Sequence, residues 1–256
     1  MTQNYKMVLE YDGSRYNGWQ KQNNTSNTIQ QKIEKILSDV SKSDVEVFGS
    51  GRTDAGTHAW GQTANFHMHW QGTTEQLFKN INMLLPEDIA LLSLQKVDKR
   101  FHARFHAVGK KYIYRIWNSE ISPVFQRKYV FVNENTLDIE QMKKAACLLL
   151  GEHDFKNFCS NKKMKKSTIR HLYSIDIVKK GNEIQIIYIG NGFLYNMVRI
   201  LTGTLIEVGE KKRTVQSVLD IFSAENRQYA GFTAPAKGLV LAEVYYDTVP
   251  VSNILK

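Results

Sequence analysis

A loop of glycines and small residues at positions 49–59 is the segment that most constrains this chain. It lies between two segments predicted as strands, 45–48 and 61–69, and it holds Asp54 close to Arg52. Glycine permits tight turns and lets the backbone approach a ligand closely. A carboxylate on such a loop can meet a substrate, and the adjacent arginine can keep it ionised or bind a phosphate. The alternative is a turn-capping aspartate paired with a surface arginine.

Both halves of the chain mix predicted helices with pairs of predicted strands. Strands are predicted where apolar residues alternate, and helices where they recur at helical spacing. The predicted strands are 5–11, 45–48, 61–69, 89–97, 108–117, 169–178, 183–189 and 239–246. The predicted helices are 74–85, 139–150, 194–208 and 215–222, with an earlier helix that begins at Thr28 and has a capping box completed by Gln31.

This order of elements predicts an α+β fold with mainly antiparallel, mixed sheets flanked by helices. We expect two similar lobes, an N-terminal lobe at 1–105 that carries the Asp54 loop and a C-terminal lobe at 106–256. A cleft between two lobes is a natural place for an active site.

The charge of the chain favours a polyanionic partner. The 34 Lys and Arg residues exceed the 25 acids and give a net charge of +9. Between positions 96 and 128 the cations are interleaved with aromatic residues, a mixture that suits RNA better than duplex DNA. A second basic cluster is predicted to be a flexible loop, and by itself it is more typical of a solvated surface: Lys162, Lys163, Lys165, Lys166 and Arg170.

Several classes of site are not expected from the sequence. The two cysteines show no metal-type pairing, and no cysteine or carboxylate completes a zinc site around His67 and His69. We find no phosphate-binding Walker loop and no dinucleotide fingerprint. No apolar run is long enough for a signal or a membrane span. We therefore expect a cytoplasmic protein with no metal and no cofactor.

Separated motifs along nearly the whole chain resemble the tRNA pseudouridine synthase A family. They are YDG at 11–13, GWQ at 18–20, TIQ at 28–30, GRTDAG at 51–56, HA at 58–59, GQ at 61–62, FHAR at 101–104, KYIYRI at 111–116, GEHDF at 151–155, GFLYNMVR at 192–199 and APAKGL at 234–239. The resemblance implies the pseudouridine synthase fold and an isomerase that converts uridine to pseudouridine at positions 38, 39 and 40 of tRNA, in the anticodon stem-loop. It also implies a homodimer with tRNA as partner and no cofactor.

The resemblance assigns roles to four residues. Asp54 takes the position of the catalytic aspartate, acting as nucleophile on C1′ or by proton abstraction around a glycal-like intermediate; both routes stay open. Arg52 would pair with Asp54 and hold it ionised, and would also fill the space left by the flipped base. Tyr112 would stack on the uracil, with its hydroxyl a candidate for removing the C5 proton. Arg199, near the start of a predicted helix, opposes the helix dipole, so we expect an anionic partner and place it against Asp54.

Tyr112 and four further residues are predicted to bind substrate: His58, Asn196, Arg104 and Lys111. Two positions depart from the family pattern, since Asn196 stands where His is usual and Thr57 where Val is frequent. Asparagine can form hydrogen bonds but cannot become cationic. The same chemistry on another uridine or RNA, and a non-catalytic RNA-binding protein, are the alternative functions.

Overall fold

The computed structural model describes residues 2–161 and 166–250 and shows an α+β fold. In the described part, five α-helices accompany strands that pair mostly antiparallel, which confirms the predicted fold class. Two compact units form, one from residues 2–108 with 240–248 and the other from residues 109–239. The predicted lobe boundary at 105 and 106, and the predicted cleft, stay predictions.

The first unit is a sheet with helices packed against it. Its strands are β1 (Gln3–Tyr11), β2 (Val47–Gly49), β3 (His58–Met68), β4 (Ile89–Val97) and β10 (Leu239–Tyr245), and its helices are α1 (Ile29–Ser41) and α2 (Thr74–Leu84). The sheet order is β4-β1-β3-β10, with β2 also paired to β3. All these pairs are antiparallel except β10, which runs parallel to β3.

The core of the first unit follows the two periodicities of its sequence. Tyr5, Met7 and Leu9 alternate along β1 and are fully buried. Ile33 and Leu37 are also buried and lie four residues apart on one face of α1. The two predicted patterns therefore form one packed interior, against which the loops of the unit are fixed.

The second unit repeats this organisation with different elements. Its strands are β5 (Gly109–Asn118), β6 (Phe131–Asn133), β7 (Gly151–Asp154), β8 (Ile169–Lys180) and β9 (Glu183–Gly190), and its helices are α3 (Ile139–Cys147), α4 (Met197–Gly209) and α5 (Ser217–Ser223). The antiparallel order is β5-β9-β8-β7, and β6 pairs parallel to β5. Helix α4 is buried on almost every side, so it is the central helix of this unit.

The structure corrects several details of the predicted elements. The predicted capping box at Thr28 is only half formed, because Thr28 accepts from the Gln31 N–H at 3.3 Å while Gln31 Oε1 has no hydrogen-bond partner among the described residues. A complete capping box instead joins Thr73 and Gln76 at α2. Helix α4 begins at Met197 rather than 194, since the preceding residue has a left-handed backbone.

Two short strands were not predicted from the sequence. Strand β6 has three residues and β7 has four, too few to show an alternating pattern. The predicted lysine cluster falls mostly outside the described residues, because Lys162, Lys163 and Lys165 lie in the gap at 162–165.

Candidate active site

The loop from β2 to β3 carries Asp54 and is held by backbone hydrogen bonds. Trp19 donates its backbone N–H to the Thr53 carbonyl at 3.0 Å. Within the loop, the Thr57 N–H donates to the Asp54 carbonyl at 3.0 Å and closes a tight turn. Asp54 is partly exposed. The loop therefore presents an accessible acid on a fixed backbone.

Two glycines allow another segment to pack directly against this loop. At Gly18 the φ angle is +87°, and a Cβ there would lie 2.6 Å from the Thr53 carbonyl oxygen. A Cβ at Gly13 would lie 2.0 Å from the Thr57 carbonyl oxygen. Both distances are shorter than any side chain tolerates. The YDG and GWQ motifs thus fix the backbone on both sides of Asp54.

Buried polar side chains hold the loop from inside the unit. The hydroxyls of Tyr11 and Thr53 lie 2.8 Å apart, and burial raises the pKa of Tyr11, so this phenol stays neutral. Ser50 Oγ donates to Gln62 Oε1 at 2.7 Å, and Gln62 Nε2 donates to the Gly51 carbonyl at 3.0 Å. Each hydrogen bond joins the loop to a strand of the core.

Arg52 is exposed and is oriented by a chain of amide side chains. Its Nε donates to Gln20 Oε1 at 3.1 Å, and Gln20 Nε2 donates to Gln30 Oε1 at 2.6 Å. Gln30 Nε2 in turn donates to Glu34 Oε1 at 2.9 Å, and both of these side chains are buried. The predicted pairing of Arg52 with Asp54 stays a prediction.

His58, a predicted substrate contact, is buried at the start of β3. Its Nδ1 accepts the Gly13 N–H at 3.1 Å and lies 3.2 Å from Asp12 Oδ1. A neutral ring can accept from Gly13, whereas a protonated ring would donate to Asp12. With 5% of its surface exposed, His58 is placed to position the YDG segment, and its contact with substrate stays a prediction.

Arg104 lies on a turn between β4 and β5 and is exposed. Its backbone N–H donates to His102 Nδ1 at 3.1 Å. The adjacent Ala103 N–H donates to Asn65 Oδ1 at 2.8 Å, which fixes the turn to β3. Arg104 therefore combines an accessible guanidinium with a fixed backbone, as the predicted substrate contact requires.

In the second unit, Tyr112 and Lys111 lie on β5. Tyr112 is 7% exposed and is in register with Tyr188 of β9. The ring of Tyr112 meets Phe193 edge to face, with ring centroids 5.1 Å apart at 81°. Lys111 is half-buried on the same strand. Packing from two sides thus holds the Tyr112 ring in one orientation.

Arg199 and Asn196 are hydrogen-bonded partners at the start of α4. Arg199 Nη1 donates to Asn196 Oδ1 at 2.8 Å, and Arg199 Nε donates to the Ala234 carbonyl at 2.7 Å. Asn196 Nδ2 donates to Ser160 Oγ at 2.9 Å. Asn196 has φ +61° and ψ 5°, a left-handed conformation that asparagine tolerates better than most residues. The departure at 196 therefore supplies an acceptor that orients Arg199.

The predicted site residues divide between the two units. The first unit holds Asp54, Arg52, His58 and Arg104, and the second holds Tyr112, Lys111, Asn196 and Arg199. Within each unit they are ordered by the contacts described above. Their assembly into one active site, including the placement of Arg199 against Asp54, stays a prediction.

Sequence reasoning missed the side chains that support these residues. Gln20, Gln30 and Glu34 orient Arg52, and Phe193 orients Tyr112. The signal that could have found them was their place in the GWQ, TIQ and GFLYNMVR motifs. Glu34 lies outside these motifs. Its one signal in the sequence was that a charged residue stands on the face of a helix that is otherwise predicted to be buried.

Across residues 2–161 and 166–250, no group of three His, Cys, Asp or Glu side chains could hold a metal ion. Over the same residues, no helix has the length and apolar character needed to cross a membrane.

Comparison with known proteins covers both units. Residues 7–106 and 145–247 match the model of a family described as tRNA pseudouridine synthase. The tRNA pseudouridine synthase A of Bacillus sp. (strain KSM-64) is 44% identical over 243 residues, which is 95% of this chain and 99% of the relative. A tRNA pseudouridine synthase A 2 from Clostridium tetani is 42% identical over 248 residues, 96% of this chain and 100% of the relative.

These matches establish the class of the protein. The corresponding protein of Bacillus anthracis is 41% identical over 95% of this chain and 99% of its own length. A chain from the crystal structure of a Cbf5-Nop10-Gar1 complex aligns at 13% identity over 79% of this chain and 45% of that chain; its TM-score of 0.37 is too low to support an argument. The protein belongs to the tRNA pseudouridine synthase family, whose members are isomerases.

Proposed function

We propose that this protein isomerises uridine to pseudouridine at positions 38 to 40 of tRNA, in the anticodon stem-loop. The observation that carries the proposal is Asp54, a partly exposed acid on a loop whose backbone is fixed on both sides by Gly13 and Gly18. Family membership supports the activity on tRNA. The net charge of +9 fits a polyanionic substrate.

The reaction exchanges one bond between sugar and base for another. The C1′–N1 glycosidic bond breaks, the uracil rotates, and C1′ bonds to C5. The C5 proton leaves and N1 gains a proton, so the reaction consumes no co-reactant, which agrees with the expectation of no cofactor. A carboxylate stabilises positive charge at C1′, as in glycoside hydrolysis. Asp54 supplies it, either as a nucleophile on C1′ or as the base of a glycal route.

The remaining side chains have roles that follow from their chemistry. The Tyr112 ring stacks on the flipped uracil, and its hydroxyl accepts the C5 proton after the new bond has formed. Arg199 lies close to the carboxylate of Asp54, and Arg52 fills the space left by the flipped base. Base flipping costs a few kcal/mol, which phosphate contacts and stacking can repay.

Further substrate contacts and the setting of the protein are part of the proposal. Arg104 and Lys111 bind phosphates of the tRNA. Asn196 contributes to tRNA binding by orienting Arg199, and His58 contributes by positioning the YDG segment. The protein acts as a homodimer in the cytoplasm, with tRNA lying across both subunits. The resemblance to the family is the support for the dimer, and light scattering in solution will test it.

Tritium release tests the chemistry directly. Transcripts of tRNA labelled with tritium at C5 of uridine release it only when C1′ bonds to C5. We expect release by the unmutated protein and none by Asp54→Asn, whose affinity for tRNA stays within a few-fold because the substitution keeps the shape of the side chain. Release by Asp54→Asn at the unmutated rate would remove Asp54 from its assigned role.

A second candidate function keeps the chemistry but changes the uridine or the RNA. It is favoured by Asn196, which stands where the family usually has histidine and here orients Arg199. Transcripts in which each anticodon-arm uridine is replaced in turn distinguish the two candidates. Tight binding of tRNA without release from any of them would indicate another RNA or a non-catalytic RNA-binding protein.

A further inference from the structure

The first unit contains a cavity of about 190 Å³ beside the catalytic loop. Gly51 and Arg52 line it, but Asp54 does not, so it is a different space from the one in which C1′ meets the carboxylate. Trp19 is 2% exposed and forms part of its wall. The rest of the wall comes from Gln20, from Gln30 of α1, from Glu46 and the adjoining strand β2, and from the 101–106 turn. The reaction described above leaves this cavity without a role.

The size of the cavity limits its occupant to a single ring. An engineered cavity of about 150 Å³ holds one benzene molecule. Sites for drug-sized ligands begin at about 300 Å³. A pyrimidine base, a six-membered ring with small substituents, fits between these limits.

Aromatic side chains border the cavity on one side. Phe105 is 77% exposed, and its ring lies 4.2 Å from that of His102, centroid to centroid. Phe48 lies 5.3 Å from His102 on the side of β2. Burial, followed by the nearby His106 and Arg104, lowers the pKa of His102, so its ring is neutral at pH 7. An exposed ring backed by a neutral ring is a stacking surface for a base.

Two arginines border the same cavity. Arg52 is held through Gln20, and Arg104 is exposed on the fixed turn. Within the described parts of the chain, the Arg104 guanidinium makes no ion pair. A guanidinium binds phosphate through paired N–H donors. Among the described residues Glu46 is the one acid that lines the cavity; it directly precedes β2 and disfavours a phosphate at that end.

A fixed amide completes the polar edge. Gln20 lines the cavity, and its position is set by its hydrogen bonds to Gln30 and Arg52. Its amide group still has one N–H and one lone pair beyond these two bonds. That donor and acceptor can meet the edge of a pyrimidine.

We propose that this cavity binds one unpaired pyrimidine nucleotide of the RNA, a base other than the uridine on which Asp54 acts. The base stacks on Phe105, its edge meets Gln20, and its phosphate lies against Arg104. This proposal rests on the proposed function and extends it. A second unpaired base, bound in the cavity, would fix the position of the RNA relative to Asp54.

Coupling between protein and RNA changes tests the proposal. The protein is Asp54→Asn, so bound RNA stays unmodified, and the ligands are anticodon stem-loops with one abasic site at each unpaired position other than the target. We expect one abasic position to weaken binding about 5-fold or more, the loss that base stacking implies. Phe105→Ala should weaken the intact RNA equally, and the two changes together no more than either alone.

Matched variants make the outcome specific. Phe105→Trp keeps a stacking surface and should bind within 2-fold, and Tyr229→Ala, which removes another exposed aromatic (56% exposed), should not couple to any abasic site. Additive losses, or no sensitive position, overturn the proposal. The proposal is also overturned if every abasic RNA binds as tightly as the intact RNA while inorganic phosphate competes with RNA for the protein, because the cavity then holds phosphate only.

The readout of this experiment is binding, whereas the proposed function is read by tritium release from the unmutated protein. Failure of release with intact coupling would refute the proposed function and leave the base site standing. Tritium release without coupling would support the proposed function and refute the base site.

Discussion

Asp54 and Tyr112 are held in place by different physical means in the two units. Asp54 lies on a loop whose position depends on backbone contacts, with the Gly18 and Gly13 segment so close that a Cβ would not fit. Tyr112 lies on a strand and is held by side-chain packing against Phe193. The first arrangement excludes almost every substitution at a few backbone positions. The second distributes the constraint over many apolar contacts.

This difference predicts how each unit responds to change. We expect a backbone shift near Asp54 to displace its carboxylate, because the backbone segments at Gly13 and Gly18 are already in close contact with the loop. Around Tyr112, conservative apolar substitutions can repack with modest cost. Three pairs of variants test the comparison.

The largest effect is expected from the two tyrosines of β5. Tyr112→Phe should lower kcat about 100-fold or more and leave KM nearly unchanged, because the variant keeps the ring that we propose to stack on the uracil but loses the hydroxyl that we propose to accept the C5 proton. Tyr114→Phe, on the same strand, removes a hydrogen bond to the Pro235 carbonyl at 2.8 Å. It should cost about 1 kcal/mol of unfolding free energy with kcat unchanged.

Tritium release gives kcat and KM for both variants, and urea denaturation gives their stability. If Tyr112→Phe keeps the unmutated kcat, the hydroxyl is not the base that accepts the C5 proton, and Tyr112 contributes to activity through its ring alone.

An intermediate effect is expected at glycines with positive φ. Gly18→Ala combines a strained φ of +87° with a clash against Thr53, and should cost about 1–3 kcal/mol of stability. It should also lower kcat about 10-fold, since small displacements of a catalytic group are costly. Gly181→Ala, in the β8–β9 turn, has φ +59° and no neighbour within 4 Å.

The control therefore isolates backbone strain from close approach. Gly181→Ala should cost about 1–2 kcal/mol and leave kcat unchanged. Equal kcat values for the two alanine variants would contradict the claim that the first unit transmits backbone shifts to Asp54.

The smallest effect is expected from two buried threonines of the loop that carries Asp54. Thr57 is 1% exposed, and its hydroxyl has no hydrogen-bond partner among the described residues. Thr57→Val should therefore stabilise the protein by about 1 kcal/mol. Thr53→Val removes the hydroxyl that meets Tyr11 and should destabilise it by about 1 kcal/mol.

Urea denaturation of both variants decides the point. Destabilisation by Thr57→Val would mean that the hydroxyl has a partner when the loop is in solution.

The sequence predicted those helices and strands whose apolar residues recur with a clear period. Strand β1 and helix α1 show the alternation and the helical spacing of their buried faces, and both were predicted. Strand β7, with the sequence GEHD, has no apolar alternation, because its place is set by pairing with β8. Such pairings join residues far apart in the chain and leave no local signal.

The sequence named the candidate site residues, whose roles stay predictions, but it did not indicate the side chains that hold them. The helix dipole predicts an anionic partner for Arg199, which stays a prediction; two of its acceptors, the Asn196 amide and the Ala234 carbonyl, are neutral groups that no local pattern indicates. Likewise, the chain of amides from Glu34 to Arg52 joins a helix to a loop. Periodicity describes one element at a time and cannot show contacts between elements.

The parallel pairing of β10 with β3 has a consequence for how the protein is made. Val240 and Leu241 lie beside His58 and Ala59, at the strand end that follows the catalytic loop. A ribosome therefore translates the whole of the second unit before the sheet that carries Asp54 can be completed. Until β10 has been synthesised, the part of β3 that pairs with it has an open edge. A chain released before residue 240 would contain every predicted catalytic residue but not the strand that completes the sheet of the first unit.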